Sequence, residues 1–278
     1  MNRGMIRSAV AVGIVLGCVE VPRADAARDL AVDLSHFQGE TGMPQANWNQ
    51  LAAEGRTFAF IKATEGLLPP GNIDPAWQTN VQRATTAGLL NGVYHLARPD
   101  NRPTVAGAVA EADQFVTTAS AAMAPGHLRP VLDLEKGFTL GTSVLSDWVV
   151  AFNDEVVRLK GADAEPIVYC GSSYATLLDS RMTSYDLWLA SQTNPADPTT
   201  ANPSLSSTGS FGNWAFWQYS GTGTAGGISP IDLDVVHAES HSLSSFVITP
   251  EPAGAALLLA CAASAVLARR RRRSVTAS

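Results

Sequence analysis

Eight short apolar segments recur along this chain, and each ends in polar residues before a helical or loop-like segment follows. The segments span residues 30–35, 58–63, 92–97, 129–135, 166–170, 186–191, 215–219 and 231–236. Short apolar runs that alternate with helical segments are typical of the strands of an α/β fold. Because there are eight of them, we expect the strands to close into a barrel.

Helices are predicted only in the first two thirds of the chain. They span residues 48–53, 75–87, 104–118 and 143–159. Gly88 and Gly161 follow the second and the fourth, where glycine can adopt the left-handed conformation that ends a helix. Residues 194–212 and 221–230 are rich in Pro, Ser, Thr, Asn and Gly, so we expect loops that join the last three strands.

The N-terminus has the features of an export signal. Arg3 and Arg7 precede an apolar run over residues 8–19, and small residues follow at 24–26. This order predicts a signal peptide over residues 1–26. A buried N-terminal helix is the alternative, but the run lacks polar residues at helical spacing. Cys18 leaves a lipoprotein signal open.

The C-terminus combines a Pro-Glu-Pro motif at 250–252, an apolar stretch over 253–268 and five arginines at 269–273. At about 1.5 Å per residue the apolar stretch falls slightly short of a bilayer core, and the arginines favour the cytoplasmic side. The segment 246–278 resembles the PEP-CTERM sorting signal of Gram-negative bacteria. That resemblance implies removal by an exosortase-like sorting protease, whereas a permanent tail anchor is the alternative. We expect an exported protein of the cell envelope or the exterior, with transient inner-membrane anchoring.

Residues 27–245, between these ends, form one strongly acidic domain with 22 acidic and 11 basic residues. This excess of negative charge makes nucleic acid an unfavourable partner. Cys170 is the one cysteine of this range, so an exported domain would have no internal disulfide and would depend on packing for its stability. We expect a monomer.

Two carboxylates end the fourth predicted strand. In a strand alternate side chains share a face, so Val131, Asp133 and Glu135 point to one side, and Leu132 and Leu134 to the other. Two acids on the inward face of a barrel are costly unless they serve chemistry, and barrel enzymes carry catalytic groups at the carboxyl ends of their strands. An Asp-x-Glu in a surface loop is the alternative.

Other predicted strands end in polar groups in the same way, and a barrel would gather them at one rim. They are Asp33 with Ser35 and His36, Lys62 with Thr64 and Glu65, Tyr94 with His95, and Asp232 with Asp234. The simpler interpretations are an ion pair between Lys62 and an acid, and histidines satisfied by backbone carbonyls. The compact His/Glu or Cys/His spacings of metal motifs are absent from the sequence, so we expect no metal and no other cofactor.

Aromatic residues near the strand ends are candidates for a groove in which sugar rings stack on flat faces, or for the core. They are Tyr94, Tyr169, Trp188, Trp217 and Tyr219.

Eight sequence blocks together resemble glycoside hydrolase family 25, the Chalaropsis-type lysozymes, over residues 29–236. In order, the blocks are AVDLSHFQG, FAFIKATEG, GVYHLARP, PVLDLE, PIVYCG, LWLAS, FWQYSG and IDLD. The resemblance implies an irregular TIM-like α/β barrel of eight strands with fewer than eight helices. It also implies N-acetylmuramidase activity on the β-1,4 bonds between N-acetylmuramic acid and N-acetylglucosamine in peptidoglycan.

The resemblance assigns roles to individual residues of this chain. Glu135 matches the proton donor, and Asp133, Asp33 and Asp232 match the other acids. The expected substrate-binding residues are Lys62, Glu65, Tyr94, Tyr169, Trp188, Trp217 and Gln218.

This chain departs from the family pattern at three positions. Phe37 replaces a usual tryptophan, Leu96 a usual phenylalanine and Asp234 a frequent asparagine, which bears on subsite preference more than on catalysis. Two other functions stay open at this stage: a non-catalytic module that binds cell-wall glycan, and a hydrolase of chitin-like aminosugar polymers.

Overall fold

The computed structural model describes residues 28–67, 72–237 and 242–250. The predicted signal peptide, and the sorting segment from residue 251 onward, lie outside the described residues. Eight strands pair in chain order into one closed barrel. The barrel and all eight predicted strands are confirmed, with shifts of a few residues at their ends. The strands are β1 (Leu30–Leu34), β2 (Arg56–Glu65), β3 (Leu90–Leu96), β4 (Val131–Asp133), β5 (Ile167–Gly171), β6 (Leu187–Ala190), β7 (Phe216–Ala225) and β8 (Ile228–Val236).

Strands β1 to β7 run parallel, and β8 runs antiparallel to both of its neighbours, β7 and β1. Asp33 of β1 is the register partner of Asp232, the central residue of β8. The strand reversal matters for the site, because it brings the beginning of β8 to the rim where the other strands end.

Five α-helices cover the barrel in the described part of the chain, which confirms the expectation of fewer than eight. They are α1 (Gln45–Ala53), α2 (Trp77–Thr86), α3 (Val105–Ala119), α4 (Thr142–Lys160) and α5 (Ser172–Leu177). The first four were predicted, and the single-turn α5 was not. Gly88 and Gly161 have φ values of 83° and 91°, as expected of glycines that end helices.

Short 3-10 helices fill many of the connections, including those of the helix-poor last third. They span His36–Gln38, Ser120–Met123, Phe138–Leu140, Ala162–Ala164, Ser180–Ser184, Leu205–Phe211 and Leu243–Phe246.

The strands separate two apolar layers. Val131 faces the barrel interior with Phe58 and Phe60, while Leu132 and Leu134 face the layer between strands and helices. The alternation predicted for the fourth strand is thus confirmed. Full burial of each large side chain is worth about 1.5–3 kcal/mol, so the packed interior supports the acid-bearing rim above it.

The predicted loop over residues 221–230 is wrong, because these residues extend β7 and β8 into a hairpin. Gly226 and Gly227 form its two-residue turn with φ values of 57° and 76°, which suit glycine in a tight hairpin. The turn packs on α1, where Asn47 Nδ2 donates to the Gly226 carbonyl oxygen at 2.8 Å. A two-residue connection allows only antiparallel pairing, which explains the direction of β8.

Residues 243–249 close the end of the barrel opposite the acid-bearing rim. Phe246 is buried in the interior layer, with its ring 4.6 Å from that of Phe216. The Gly126 amide donates to the Ile248 carbonyl oxygen at 2.9 Å. Barrel packing therefore continues beyond the boundary that we placed at residue 245. Within the described ranges, no helix has both the length and the apolar character needed to cross a bilayer.

Candidate active site

A cleft of about 100 Å³ opens at the rim where the parallel strands end. It is lined by Asp33, Tyr94, Asp133, Glu135, Tyr169, Trp188, Gln218 and Asp232. The four acids singled out from the sequence are thus brought together. They come from β1, the end of β4, the residue two positions beyond it, and β8.

Asp33 lies deep in the cleft and is 6% exposed. Gln218 Nε2 donates to its Oδ2 at 2.7 Å. Burial raises the pKa of Asp33 well above its ordinary range and the charge of Asp232 raises it further, whereas the hydrogen bond from Gln218 offsets part of this. This carboxyl group is therefore held in a fixed orientation but is costly to ionise.

Asp133 is also buried, and its Oδ1 has no hydrogen-bond partner among the described residues. Burial raises the pKa of Asp133 well above its ordinary value, and the charges of Glu135 and Asp33 raise it further. The positive charge of Lys62 on β2 lowers the pKa of Asp133 and so opposes part of this shift. A buried carboxyl oxygen without a donor is available to a donor on a ligand.

Glu135 is exposed, in contrast to Asp133 and Asp33. Its backbone is held by α5, since the Tyr174 hydroxyl donates to the Glu135 carbonyl oxygen at 2.7 Å. The Tyr174 ring packs edge-on against Phe138 at 5.3 Å. Glu135 is therefore the cleft acid with the freest access to a bound ligand, on a backbone that is anchored.

Asp232 is half-buried at the opposite side of the cleft. Burial raises the pKa of Asp232 to about 6, with a further contribution from the charge of Glu135. This carboxyl group changes its charge within the ordinary working range of an enzyme.

A hydrogen-bonded layer lies beneath the acids. The Tyr169 hydroxyl and Gln192 Nε2 donate to Gln218 Oε1 at 3.0 and 3.2 Å. Trp188 Nε1 donates to Asp234 Oδ1 at 3.0 Å. Tyr169 and Trp188 line the cleft, as expected if their rings face a groove. Their polar atoms donate hydrogen bonds to Gln218 and Asp234 and so orient these two side chains.

Lys62 and Glu65 form an ion pair beside the cleft and do not line it. Lys62 Nζ lies 2.7 Å from Glu65 Oε2, and Arg98 contacts the other oxygen at 3.1 Å. Burial favours a higher pKa of Glu65, but the hydrogen bonds and charges of Lys62 and Arg98 lower it overall. Lys62 therefore forms the ion pair with an acid that was the simpler interpretation of the sequence.

Trp217 is not brought to the cleft. It is fully buried in the layer between strands and helices, where its Nε1 donates to the Ser191 carbonyl oxygen at 2.8 Å and its ring packs on Trp214. Its neighbour in that layer is Tyr219, at 5.9 Å. Both side chains belong to the core, whereas Tyr94 lines the cleft beside the acids.

His36 and His95 form hydrogen bonds with side chains, and not with the backbone carbonyls of the simpler interpretation. His36 Nδ1 lies 2.8 Å from Asp74 Oδ2. His95 is fully buried between Thr64 Oγ1 at 2.8 Å and Glu111 Oε2 at 2.9 Å. In the described part of the chain, no cluster of three or more His, Cys, Asp or Glu side chains has the arrangement of a metal site.

Sequence reasoning missed Tyr174 and Gln192. Neither carries a signal of its own, because Tyr174 lies on the unpredicted helix α5 and Gln192 follows β6 in a polar stretch.

A closed α/β barrel with carboxyl groups gathered at its rim defines the class of barrel glycoside hydrolases. The family model of glycosyl hydrolases family 25 matches residues 32–228, and the chain belongs to this family.

Two curated relatives are lysozymes by name. Lysozyme M1 of Streptomyces globisporus is 30% identical over 218 residues, covering 74% of this chain and 66% of that protein. The autolytic lysozyme of Clostridium acetobutylicum is 29% identical over 197 residues, covering 70% and 53%. The chain thus matches less than two thirds of the length of either relative. Among solved structures, a bacterial lysozyme from Streptomyces coelicolor superposes with a TM-score of 0.61 at 26% identity, covering 80% of this chain and 96% of that one.

Proposed function

We propose that this protein is a lysozyme, an N-acetylmuramidase that hydrolyses the β-1,4 bonds between N-acetylmuramic acid and N-acetylglucosamine in peptidoglycan. The observation that carries the proposal is the convergence of Asp33, Asp133, Glu135 and Asp232 on one cleft. Membership of family 25 and the lysozyme names of its relatives support the same activity.

Glu135 acts as the proton donor. Glycosidic cleavage needs an acid that protonates the leaving oxygen. Glu135 is exposed in the free cleft, so a bound glycan has direct access to its carboxyl group. Its proton passes to the glycosidic oxygen as the bond from that oxygen to the anomeric carbon breaks. The carboxylate left behind then accepts a proton from the water that completes hydrolysis.

Asp133 orients the 2-acetamido group of the sugar. Its unpartnered Oδ1 accepts the acetamido N–H, which directs the carbonyl oxygen of that group toward the anomeric carbon. That oxygen then forms the temporary bond to the carbon, and water later displaces it. Asp33 and Asp232 supply negative charge toward the developing positive charge of the ring.

The protein works outside the cytoplasm. We propose that residues 1–26 direct export, and that the segment after the barrel is a sorting signal removed by an exosortase-like protease.

Product analysis tests this proposal. Purified peptidoglycan and chitin are digested in parallel, and the fragments are identified by mass spectrometry. We expect muropeptides with N-acetylmuramic acid at the reducing end and little release from chitin. Release from chitin alone would assign the barrel to another aminosugar polymer. Sedimentation of the protein with the wall without clearing would identify a glycan-binding module.

A further inference from the structure

Asp234 is a buried acid that the proposed mechanism does not use. It lies on β8, is 0% exposed, and its Oδ1 accepts the hydrogen bond from Trp188 Nε1. Its Oδ2 is buried without a hydrogen-bond donor from any described residue. A carboxylate in this position would keep an unsatisfied charged oxygen away from water, which is strongly unfavourable.

Asp33 on β1 is the register partner of Asp232, which lies two residues before Asp234 on the same face of β8. Gln218, the register partner of Asp234 on β7, donates to Asp33, so the two buried carboxyl groups are neighbours. Two neighbouring buried carboxyl groups cannot both be ionised at low cost, so they share one proton. The side chains around the pair decide which group carries it.

Gln218 identifies Asp33 as the ionised partner. The amide oxygen of Gln218 accepts from the Tyr169 hydroxyl and from Gln192, so its NH₂ group faces Asp33 and donates at 2.7 Å. Asp33 therefore has an N–H donor that stabilises a carboxylate. The free oxygen of Asp234 has none, and a hydroxyl there would donate to Asp33 while the other oxygen still accepts from Trp188.

The charges around Asp234 act in the same direction, with one exception. Burial raises the pKa of Asp234 well above its ordinary value, and Asp33 on β1 and Asp232 on β8 raise it further. The hydrogen bond from Trp188 on β6 and the charge of Arg56 on β2 lower it. Arg56 is turned toward other acceptors, the Ala31 carbonyl and the Tyr219 hydroxyl, at 3.5 and 3.3 Å.

We propose that Asp234 is a positioning residue that retains its proton, donates it in a hydrogen bond to Asp33, and so holds Asp33 as a carboxylate directed into the cleft. This inference rests on the proposed hydrolase function and assigns a role to a residue behind the reacting groups. Loss of the proton at high pH would set two buried negative charges against each other and would displace Asp33.

Two variants separate this role from simple packing. Asp234→Asn keeps an acceptor for Trp188 and a permanent donor for Asp33, whereas Asp234→Leu has a similar volume and neither. We expect kcat on peptidoglycan to stay within about threefold of wild type for Asn and to fall about 10- to 100-fold for Leu, the range of a positioned hydrogen bond to a charged group. We also expect the alkaline limb of the pH profile to move upward in the Asn variant. Asp147→Asn, an exposed change on α4, is the matched control.

Infrared difference spectra provide a readout that does not depend on activity. Asp234→Asn should lose one protonated-carboxyl component at neutral pH that Asp147→Asn keeps. Equal activity of the Leu and Asn variants with native melting temperatures, or an unchanged carboxyl band in Asp234→Asn, would overturn the inference. If the wild-type protein leaves peptidoglycan intact, the proposed function fails, and the infrared band still decides where the proton resides.

Discussion

Asp33 and Asp232 are register partners across the antiparallel pair of β1 and β8, so the first and last strands of the barrel direct their carboxyl groups into one cleft. This pairing concentrates negative charge at the strand ends. It also destabilises the folded state when both groups are ionised, because buried carboxylates repel each other. Burial and the charges of neighbouring carboxylates raise the pKa values of both groups.

Asp232→Asn should stabilise the protein while it impairs catalysis. The pKa of Asp232 is raised from an ordinary value near 3.8 to about 6, so the folded state binds its proton more tightly than the unfolded state. Stability from this group is therefore complete below pH 4 and is lost as the pH rises toward 6. We expect the variant to melt about 2–4 °C above wild type at pH 7.5, which corresponds to roughly 1 kcal/mol for a half-buried group, and to match it at pH 4. Calorimetry at both pH values checks this, and a variant that melts below wild type at pH 7.5 would contradict it.

Gln218→Leu should remove the donor that holds Asp33. The Tyr169 hydroxyl and the Asp33 carboxyl group would each lose a partner, and a buried polar group left without one costs about 1–3 kcal/mol. We expect a lower melting temperature and a kcat at least tenfold below wild type. Denaturation and initial rates measure the two effects. Wild-type kcat in a folded variant would show that Asp33 does not need this hydrogen bond.

Phe37→Ala should weaken binding of the glycan without affecting stability. Phe37 follows β1 at the rim, is 81% exposed and packs against His36 at 4.2 Å. An exposed ring four residues after the cleft acid Asp33 is a candidate to stack on a sugar, a contact of about 0.5–1.5 kcal/mol by analogy with aromatic pairs, so KM should rise about three- to tenfold. Leu205→Ala, which removes another exposed apolar side chain, is the control. An equal KM for both variants would show that Phe37 does not stack on the bound glycan.

Phe246→Ala should destabilise the barrel from the end opposite the cleft. The ring is 1% exposed and packs in the interior, and truncation of such a phenylalanine costs about 3–5 kcal/mol. A chain that ends at residue 245 should lose comparable stability. Denaturant unfolding compares both with a chain that ends at residue 250. Equal stability of all three would show that residues 246–250 do not contribute to the stability of the barrel.

Much of the fold and the acid cluster could be predicted, because both depend on local alternation. Asp133 and Glu135 share a face with Val131, and the structure turns that face inward. The same rule could have corrected one site prediction. Trp217 and Gln218 are adjacent in β7, so they cannot both face the cleft, and Trp217 faces the core.

Other features were missed for two different reasons: one local signal was overlooked, and other contacts form only in the folded barrel. The composition of residues 221–230 predicted a loop, although the Gly226-Gly227 pair is a strong hairpin signal. The direction of β8 follows from that hairpin and determines how Asp232 reaches the rim. The partners of His95 come from a strand and a helix that only the folded barrel brings together.

The most direct test of the account is the rate of peptidoglycan hydrolysis by Glu135→Gln, measured beside Glu165→Gln at the other end of the barrel. Both variants make the same chemical change, and Glu165 lies in an ion pair with Arg129. We predict that Glu135→Gln folds normally and loses about 10²- to 10⁴-fold in kcat, while Glu165→Gln stays near wild type. Near-normal turnover by a folded Glu135→Gln enzyme would contradict the account.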